Sequence, residues 1–325
     1  MAVEPLLEVE NLNVEYVLTD YKVNAVRNVS FYMNKGECIA LVGESGSGKS
    51  TVAMAVMGLL PPYAKISAKK IIFDGKDILN ADEKLMTEIR GKDVTVIFQD
   101  PISYLNPIIS VGEQIFEALM AHNPKITSKE AQVQAIDLLR KVRIADPERV
   151  LRMYPFQLSG GMAQRVFIAM AISANPKLLI ADEPTTALDL TIQSQILKLL
   201  NNLRKEFNLS IILITHDLSL TSYLADRIYV MYNGQVVEED SVEGIFSNPI
   251  HPYTKMLILS SQAIYRGEVK RLREKISTIT EKGGNSETIK GCDFIRKCNN
   301  CGPECEKEPP LIECDGLKKV RCWRL

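Results

Sequence analysis

The stretch Gly43-Glu44-Ser45-Gly46-Ser47-Gly48-Lys49-Ser50 decides the fold prediction for this chain. It follows a fully apolar run, Cys38–Val42, and opens a helical pattern that extends to about Leu60. A G-x-x-x-x-G-K-[ST] pattern between a strand and a helix is typical of a phosphate-binding loop, because backbone N–H groups and the helix N-terminus attract phosphate oxygens. We expect Lys49 to reach the β- and γ-phosphates and the Ser50 hydroxyl to bind Mg²⁺. The alternative is a glycine-rich turn without a ligand.

A second apolar run, Leu178–Ala181, ends in Asp182-Glu183. A strand in the same sheet would place Asp182 at the sheet's carboxyl edge, near the Mg²⁺. Glu183 would then lie beside the γ-phosphate, where a carboxylate can orient and deprotonate the attacking water. An apolar run that ends in two acids is weak evidence alone and strong evidence beside the loop at 43–50.

Around these two motifs the hydrophobic pattern alternates between strands and helices. Strands are predicted at Leu6–Tyr16, Ala25–Met33, Ile71–Asp74, Val94–Phe98 and Ile211–Thr215, with a hairpin formed by Arg227–Tyr232 and Gln235–Val237. Helices are predicted at Gly112–His122, at Ser128–Val142 with Ser128 as its N-cap, from about Ser159, and at Gln193–Phe207. This alternation predicts an α/β fold with a parallel sheet.

Composition narrows the class of protein. The chain has 325 residues, 39 basic and 40 acidic, so a net charge of −1 gives no support to a nucleic-acid partner. No apolar run approaches the roughly 18–20 residues of a membrane-spanning helix, and the first ten residues do not resemble a secretory signal. We expect a soluble, cytoplasmic chain whose membrane role, if it has one, comes through partners.

Seven cysteines are unevenly distributed. Cys38 lies in an apolar strand and is expected to be a small buried hydrophobe. The other six fall in the last 34 residues: Cys292, Cys298, Cys301, Cys305, Cys314 and Cys322. In a reducing compartment, cysteines at this density favour a metal site over disulfides. A polar stretch with a Gly-Gly pair, Ser277–Gly291, is a predicted linker to this tail.

The sequence Leu158-Ser159-Gly160-Gly161-Met162-Ala163-Gln164 resembles the LSGGQ-type signature of ABC ATPases. Other family motifs follow in the family's order. Gln99 resembles the Q-loop glutamine, Ala187-Leu188-Asp189 the D-loop, and His216 the switch histidine. Tyr16 lies where the family places an aromatic that stacks on adenine, with Tyr21 as the competing candidate. The resemblance covers roughly residues 6–245.

The resemblance implies an ABC-type nucleotide-binding domain of the P-loop NTPase fold at residues 1–245. Such a domain has a RecA-like parallel sheet core, an antiparallel β subdomain and a helical subdomain, here about 100–170, and residues 246–325 would form a C-terminal extension. The resemblance assigns ATP binding to Tyr16, Gly43, Glu44, Ser45, Gly46, Ser47, Gly48, Lys49, Ser50, Thr51, Gln99, Ser159, Gly160, Gly161, Asp182 and Asp189. It assigns Mg²⁺ to Ser50, Gln99 and Asp182, and catalysis to Lys49, Gln99, Glu183 and His216. In this family the signature acts on ATP held by the opposite subunit of a dimer.

Further motifs resemble the oligopeptide/dipeptide importer ATPases: Phe98-Gln99-Asp100-Pro101, Leu105-Asn106-Pro107 and Asn248-Pro249-Ile250-His251-Pro252-Tyr253-Thr254. Departures are Ala163, where arginine is usual, Tyr104 in place of a small residue, and the absence of a proline soon after Ser260. The resemblance implies a second ABC ATPase subunit, by subfamily habit a paralogue, two integral membrane permeases and an extracytoplasmic solute-binding protein. The chain would lie on the cytoplasmic face of the membrane. We interpret the His251–Thr254 segment as a docking element for the extension.

The cysteine tail resembles the C-x₅-C element of the same subfamily, whose members with this pattern carry a [4Fe–4S] cluster. By that resemblance the ligands are Cys292, Cys298, Cys305 and Cys322. Zinc is an alternative, because Cys298-x₂-Cys301 is a familiar zinc half-site, and redox-active or unliganded thiols are another. Cys301 and Cys314 are spare on the cluster interpretation and become ligands if the alignment shifts.

Two other functions compete with a peptide importer. A soluble ABC ATPase with a metal cluster could act on a ribosome or nucleic acid, although such proteins commonly carry two fused ATPase units and this chain has one phosphate loop. An importer for an oligosaccharide or nickel would use a closely similar ATPase, because the ATPase does not contact the solute.

Overall fold

The computed structural model describes residues 4–123, 125–186, 188–266 and 291–324. Its strands are β1 (Leu7–Val17), β2 (Lys22–Met33), β3 (Cys38–Val42), β4 (Ala64–Ser67), β5 (Lys70–Phe73), β6 (Lys76–Asp77), β7 (Val94–Ile97), β8 (Leu178–Asp182), β9 (Ser210–Thr215), β10 (Arg227–Tyr232), β11 (Gln235–Ser241), β12 (Ile312–Glu313) and β13 (Lys319–Val320). Within these residues they form two sheets. The first has the order β2-β1-β5-β6 with β4 paired to β1, and the second has the order β12-β13-β11-β10-β3-β9-β8-β7.

The centre of the second sheet is parallel, as the sequence predicts. β3 pairs with β9 and β10, and β8 pairs with β9 and β7, all in parallel. Every residue of β3 and β9 is buried, because the sheet is covered on both faces. Consecutive side chains of β3 enter different cores: Cys38 and Ala40 face one hydrophobic cluster, and Ile39 and Leu41 face the other. The prediction of Cys38 as a buried hydrophobe is therefore confirmed.

The helices are α1 (Lys49–Val56), α2 (Glu83–Ile89), α3 (Pro101–Tyr104), α4 (Val111–His122), α5 (Ser128–Lys141), α6 (Pro147–Leu151), α7 (Gly160–Ala171), α8 (Leu190–Phe207), α9 (Leu218–Thr221), α10 (Val242–Ser247) and α11 (Pro252–Arg266), with short 3₁₀ turns at Pro155–Gln157, Ile295–Lys297 and Pro303–Glu306. No helix within the described ranges combines the length and hydropathy needed to cross a membrane.

The ends of several predicted helices differ from those observed. The helix predicted at Gln193–Phe207 begins earlier, at Leu190, because Asp189 caps it. α1 ends at Val56 rather than near Leu60, because Gly58 adopts a left-handed φ of 61° and the N–H of Leu59 bonds back to Met54 O at 2.9 Å. The N-cap of α5 is Thr127, not Ser128. Thr127 and Glu130 bond to each other's backbone N–H in a capping box, which leaves Ser128 as the first helical residue.

A charged cluster joins four loops that flank the two sheets. The Asp74 carboxylate binds Lys35 Nζ at 2.8 Å and Lys177 Nζ at 2.9 Å, and Lys177 also contacts Asp93 at 3.3 Å. The hydrogen bond from Lys35, followed by that from Lys177, lowers the pKa of Asp74 below its ordinary value. The cluster therefore stabilises the folded state while Asp74 is ionised.

The C-terminal residues 291–324 extend the second sheet and pack on its edge. β13 pairs antiparallel with β11, and β12 pairs with β13. Arg321 donates to Val236 O and Pro309 O, and Asp293 binds both Arg27 and Asn233. Polar contacts thus fix the extension on β11, on Arg27 of β2 and on the turn between β10 and β11. The predicted linker, Ser277–Gly291, lies outside the described residues except for its last glycine.

Candidate active site

The loop at residues 43–50 joins β3 to α1, as predicted. Gly46 and Gly48 have left-handed φ values of 81° and 97°. A side chain at Gly48 would also lie 2.4 Å from Ala25 O, so only glycine fits there. These two positions let the backbone curve around a concave space at the N-terminus of α1, which is the geometry that attracts an anion.

Lys49 is buried at the start of α1 and points back along the loop. Its Nζ donates to Gly43 O and Glu44 O, at 2.8 Å each. Burial lowers the pKa of Lys49, while the nearby charges of Glu183, Asp182 and Glu44 oppose this shift. The buried ammonium group of Lys49 is bonded to two neutral carbonyls. A charged phosphate oxygen would form a stronger hydrogen bond with this group than either carbonyl does, so the site favours phosphate.

Ser50 and Asp182 come together from different elements. Asp182 ends β8, Ser50 lies in the first turn of α1, and the Ser50 hydroxyl donates to Asp182 Oδ1 at 3.1 Å. They meet because β3 and β8 both flank β9 and end at the same sheet edge. Burial raises the pKa of Asp182, and the neighbouring Glu183 charge adds to this. A hydroxyl and a partly desolvated carboxylate are hard oxygen donors that suit Mg²⁺.

Glu183 has an unusual backbone conformation. Its φ is +47°, a left-handed value that costs a residue with a Cβ about 1–3 kcal/mol. The N–H of Glu183 donates to Ile214 O at 2.9 Å, Thr186 Oγ1 donates to one carboxylate oxygen at 2.7 Å, and His216 Nδ1 lies 3.0 Å from the other. These bonds hold the strained residue beside the phosphate loop.

The electrostatics of Glu183 favour its ionised form. Burial raises the pKa of Glu183, but hydrogen bonds from Thr186 and His216 and the positive charge of Lys49 outweigh burial, so the pKa is lowered. The carboxylate therefore accepts the hydrogen bond from His216, which places the histidine proton on Nδ1. Thr186 was missed by the sequence analysis, although its position three residues after Glu183 is a local signal.

The remaining predicted residues of this edge are Gln99 and Tyr16. Gln99 lies two residues beyond the end of β7 with an exposed side chain, on the edge where β8 ends. The Tyr16 hydroxyl lies 3.3 Å from Thr51 Oγ1, and its ring centroid is 5.9 Å from that of Tyr63. Tyr21, the competing aromatic, is 62% exposed in the turn after β1. Tyr63 was missed by the sequence analysis, because it belongs to no recognisable motif.

The signature residues form a surface of their own. Ser159 caps α7 by accepting the N–H of Met162, and Asp189 caps α8 by accepting the N–H of Thr191 and Ile192. A Cβ on Gly161 would lie 3.0 Å from the Ile192 side chain, so the two helix starts are adjacent. Ser159, Gly160 and Asp189 are exposed. The structure therefore presents their N–H groups and helix dipoles outward.

The four cysteines assigned by resemblance line one pocket in the extension, together with His251 and Phe294. Burial raises the pKa of Cys292 to about 11, and the nearby thiols of Cys305, Cys322 and Cys298 add to the shift. The two cysteines considered spare do not line this pocket: Cys301 is exposed, and Cys314 lies beside the β12–β13 turn.

These thiols are not arranged for a single ion. Among the described residues, no three His, Cys, Asp or Glu side chains converge closely enough to hold a metal ion. Tetrahedral zinc requires sulfurs about 4 Å apart, given Zn–S bonds of about 2.3 Å. The zinc alternative is therefore not supported. The same absence among the described residues gives the [4Fe–4S] cluster no support, so the cluster stays a prediction of the resemblance.

The fold and these contacts define the chain as an ATP-hydrolysing ABC cassette. The parts of such a cassette that are present here are a phosphate-binding loop, an acidic strand end and an outward-facing signature helix. Comparisons with known proteins agree. The ABC transporter family matches residues 26–186, and the C-terminal region of oligopeptide/dipeptide transporters matches residues 237–305. This chain belongs to the ABC transporter family, as an ATPase of its oligopeptide/dipeptide branch.

Relatives cover nearly the whole chain. It is 44% identical over 322 residues to the oligopeptide transport ATP-binding protein OppD of Bacillus subtilis (strain 168), covering 98% of this chain and 89% of the relative. It is also 44% identical to the dipeptide transport ATP-binding protein DppD of the same strain, covering 98% and 95%. A solved dimeric cassette in a post-hydrolysis state with ADP and Pi is 28% identical, with a TM-score of 0.65, covering 73% of this chain and 98% of the cassette.

Proposed function

We propose that this chain is the ATP-hydrolysing subunit of a peptide-type ABC importer, in which ATP-driven closure of an ATPase dimer moves attached membrane permeases. One observation carries the catalytic part: Glu183, held by Thr186 and His216, lies beside Lys49 and Asp182 at the loop. The cargo follows from the relatives, which are named as oligopeptide and dipeptide transport proteins. We also propose the division into a catalytic domain at 1–245 and an extension at 246–325.

The phosphate chain of ATP would bind along the loop. The backbone N–H groups that follow Glu44 in the loop would face the phosphates, and Lys49 would exchange its loop carbonyls for phosphate oxygens. Ser50, Asp182 and Gln99 would hold Mg²⁺, which when bound neutralises charge on the β- and γ-phosphates. Tyr16, fixed by Thr51 and Tyr63, would stack on adenine.

Glu183 acts as the base that orients and deprotonates the attacking water. Its lowered pKa keeps the carboxylate ionised at neutral pH and able to accept a hydrogen bond from water. His216 donates to one carboxylate oxygen from Nδ1, which fixes the direction of the other contacts of the carboxylate. The strained backbone of Glu183 supports this role, because such strain concentrates at functional residues.

The signature surface would act on the partner subunit. Ser159, Gly160, Gly161 and Asp189 start two adjacent helices whose N-termini are exposed, so their donors are available to a γ-phosphate held elsewhere. The solved cassette that resembles this chain is dimeric. We propose a head-to-tail dimer with two sandwiched ATP molecules, in which the second subunit is a paralogue.

The surface beyond Gln99 supports permease docking. Large apolar side chains are exposed on it: Ile102, Tyr104, Ile108, Tyr154 and Phe156. Ile108 is 82% exposed and Phe156 is 72% exposed, which is costly unless a partner covers them. We propose that two integral membrane permeases cover these residues, one on each ATPase subunit. The chain would then lie on the cytoplasmic face of the membrane, and an extracytoplasmic binding protein would supply the solute.

We propose that Cys292, Cys298, Cys305 and Cys322 hold a [4Fe–4S] cluster. Their shared pocket supports this assignment, and thiolates are the ligands that such clusters require. The pocket is lined mainly by residues 292–324 and not by Glu183, so the cluster would stabilise the fold of the extension rather than take part in ATP hydrolysis.

Purification of the tagged full-length chain from detergent-solubilised membranes tests this function. We expect two integral membrane proteins and a second ABC ATPase to co-purify in stoichiometric amounts. Recovery of ribosomes or RNA instead of membrane subunits would contradict the importer assignment and favour a soluble ATPase.

A further inference from the structure

Tyr253 connects the C-terminal extension to the phosphate loop. It lies in the first turn of α11, within the His251–Thr254 motif, and its side chain is fully buried. The hydroxyl oxygen of Tyr253 accepts the backbone N–H of Glu44 at 2.9 Å, across 209 positions of the chain. None of the catalytic roles proposed above uses this motif.

The bonded N–H belongs to the peptide that opens the loop, between Gly43 and Glu44. The carbonyl of that same peptide, Gly43 O, accepts from Lys49 Nζ at 2.8 Å. The peptide is therefore fixed from both sides, by Tyr253 on its N–H and by Lys49 on its carbonyl. It is also tightly enclosed, because a Cβ on Gly43 would lie 2.1 Å from Met231 O.

Tyr253 is itself held by neighbouring rings and by a backbone hydrogen bond. The backbone N–H of Tyr253 donates to His251 Nδ1 at 3.1 Å. The centroid of the Tyr253 ring lies 4.7 Å from that of Tyr232 and 5.6 Å from that of Phe294 in the extension. Phe294 is buried and lies between Cys292 and Cys298 in the sequence, within the cysteine-lined pocket. A continuous set of ring contacts thus runs from the cysteine pocket to the start of the phosphate loop.

We propose that Tyr253 is a positioning residue for ATP binding, which holds the Gly43–Glu44 peptide so that the following N–H groups of the loop face the phosphates. Without the hydroxyl, the Glu44 N–H loses its acceptor, so the peptide rotates until the N–H reaches another one. Because the N–H and the carbonyl belong to the same peptide, this rotation turns the Gly43 carbonyl away from Lys49. The loop must then be reordered whenever ATP binds, which weakens affinity. The inference rests on the nucleotide binding assigned to residues 43–50.

The variant Tyr253→Phe removes the hydroxyl and keeps the ring. In the full-length chain we expect the Kd for MgATP and the KM of hydrolysis to rise about tenfold, the factor that corresponds to about 1.4 kcal/mol. We expect kcat to stay within twofold of wild type, because Glu183 and His216 do not contact Tyr253. A loss of general stability would not produce this split between KM and kcat.

Tyr229→Phe is the matched control. Tyr229 is equally buried, and its hydroxyl donates to Tyr32 O at 3.3 Å, away from the loop. We expect Tyr229→Phe to bind ATP as wild type does, with both variants checked by thermal melting. An unchanged Kd in a folded Tyr253→Phe variant would overturn the proposal, whereas a wild-type chain that binds no ATP would instead contradict the assignment of the loop.

Amide hydrogen exchange tests the proposal in the wild-type chain and so does not depend on how a variant folds. We expect the Glu44 amide hydrogen to exchange at least tenfold more slowly than the Ser45 amide, because Tyr253 protects it. Exchange of Glu44 at the rate of an unprotected amide would overturn the proposal.

Discussion

Glu183→Gln replaces a carboxylate by an amide of nearly the same shape at the proposed catalytic base. The two oxygens of Glu183 lie 2.7 Å from Thr186 Oγ1 and 3.0 Å from His216 Nδ1, and an amide oxygen retains only part of this arrangement. A positioned general base contributes about 10²–10⁴-fold to a rate. We therefore expect kcat to fall by this factor, which corresponds to about 3–5 kcal/mol of activation free energy.

ATP binding should survive the same change. Lys49 and Ser50 keep their positions, and the loss of one negative charge reduces repulsion of the phosphates. We expect the Kd for MgATP to stay within about threefold of wild type or to tighten. The assay is phosphate release at saturating MgATP, beside equilibrium binding of a fluorescent ATP analogue.

Glu206→Gln provides a control with the same change in charge. Glu206 lies near the end of α8, is half exposed, and contacts Lys141 at 3.8 Å. We expect its kcat and Kd to equal those of wild type. Turnover of Glu183→Gln at the wild-type rate would remove Glu183 from its assigned role, and a parallel loss of ATP binding would show that the side chain is needed for binding rather than for chemistry.

Three further changes test other parts of the account. Cys305 lines the cysteine pocket and Cys314 does not. In protein purified without oxygen, Cys305→Ser should therefore lose the visible absorbance near about 400 nm, and Cys314→Ser should keep it. Stoichiometric zinc without iron in the wild type would contradict the cluster. Ser159→Arg, titrated into its ATPase partner subunit, should suppress hydrolysis at the partner's nucleotide, and simple additivity of the two activities would contradict action in trans. Asp74→Asn should lower the free energy of unfolding by about 1 kcal/mol or less at pH 7. The pKa of Asp74 is lower in the folded state than in the unfolded state, so the carboxylate stabilises the fold at a pH above its unfolded pKa. Chemical denaturation should show this difference shrinking as the pH falls below about 3.9, and a difference independent of pH would exclude the two lysine partners as its cause.

The sequence predicted the parallel core well because its strands carry an unambiguous signal. β3 is apolar along its length and β9 is apolar between Ser210 and Thr215, since both faces of the sheet are covered. The motifs at the ends of the apolar runs were therefore enough to predict that Ser50 and Asp182 lie at the same sheet edge. The helix start near Ser159 was predictable for a similar reason, as caps are read from local residue types. The predicted start of α8 at Gln193 was wrong, because Asp189 caps the helix and it begins at Leu190.

Features that depend on distant contacts were not predictable. Glu183 has a left-handed backbone and donates its N–H to Ile214 O on the neighbouring strand, and no local residue type signals this conformation. The bond between Tyr253 and Glu44 joins segments 209 residues apart, so the His251–Thr254 motif could be recognised as a docking element but not as a support of the loop. Local capping also misled once: Ser128 and Thr127 are both good caps, and Glu130 selects Thr127 by completing the box.

Reconstitution of the chain with its permeases, partner ATPase and binding protein in proteoliposomes tests the central claim most directly. We predict that binding protein loaded with a peptide stimulates ATP hydrolysis, that ATP drives accumulation of labelled peptide, and that both activities vanish in the assembly that carries Glu183→Gln. Hydrolysis indifferent to peptide but stimulated by an oligosaccharide or by nickel, or peptide accumulation that persists in the variant, would contradict the account.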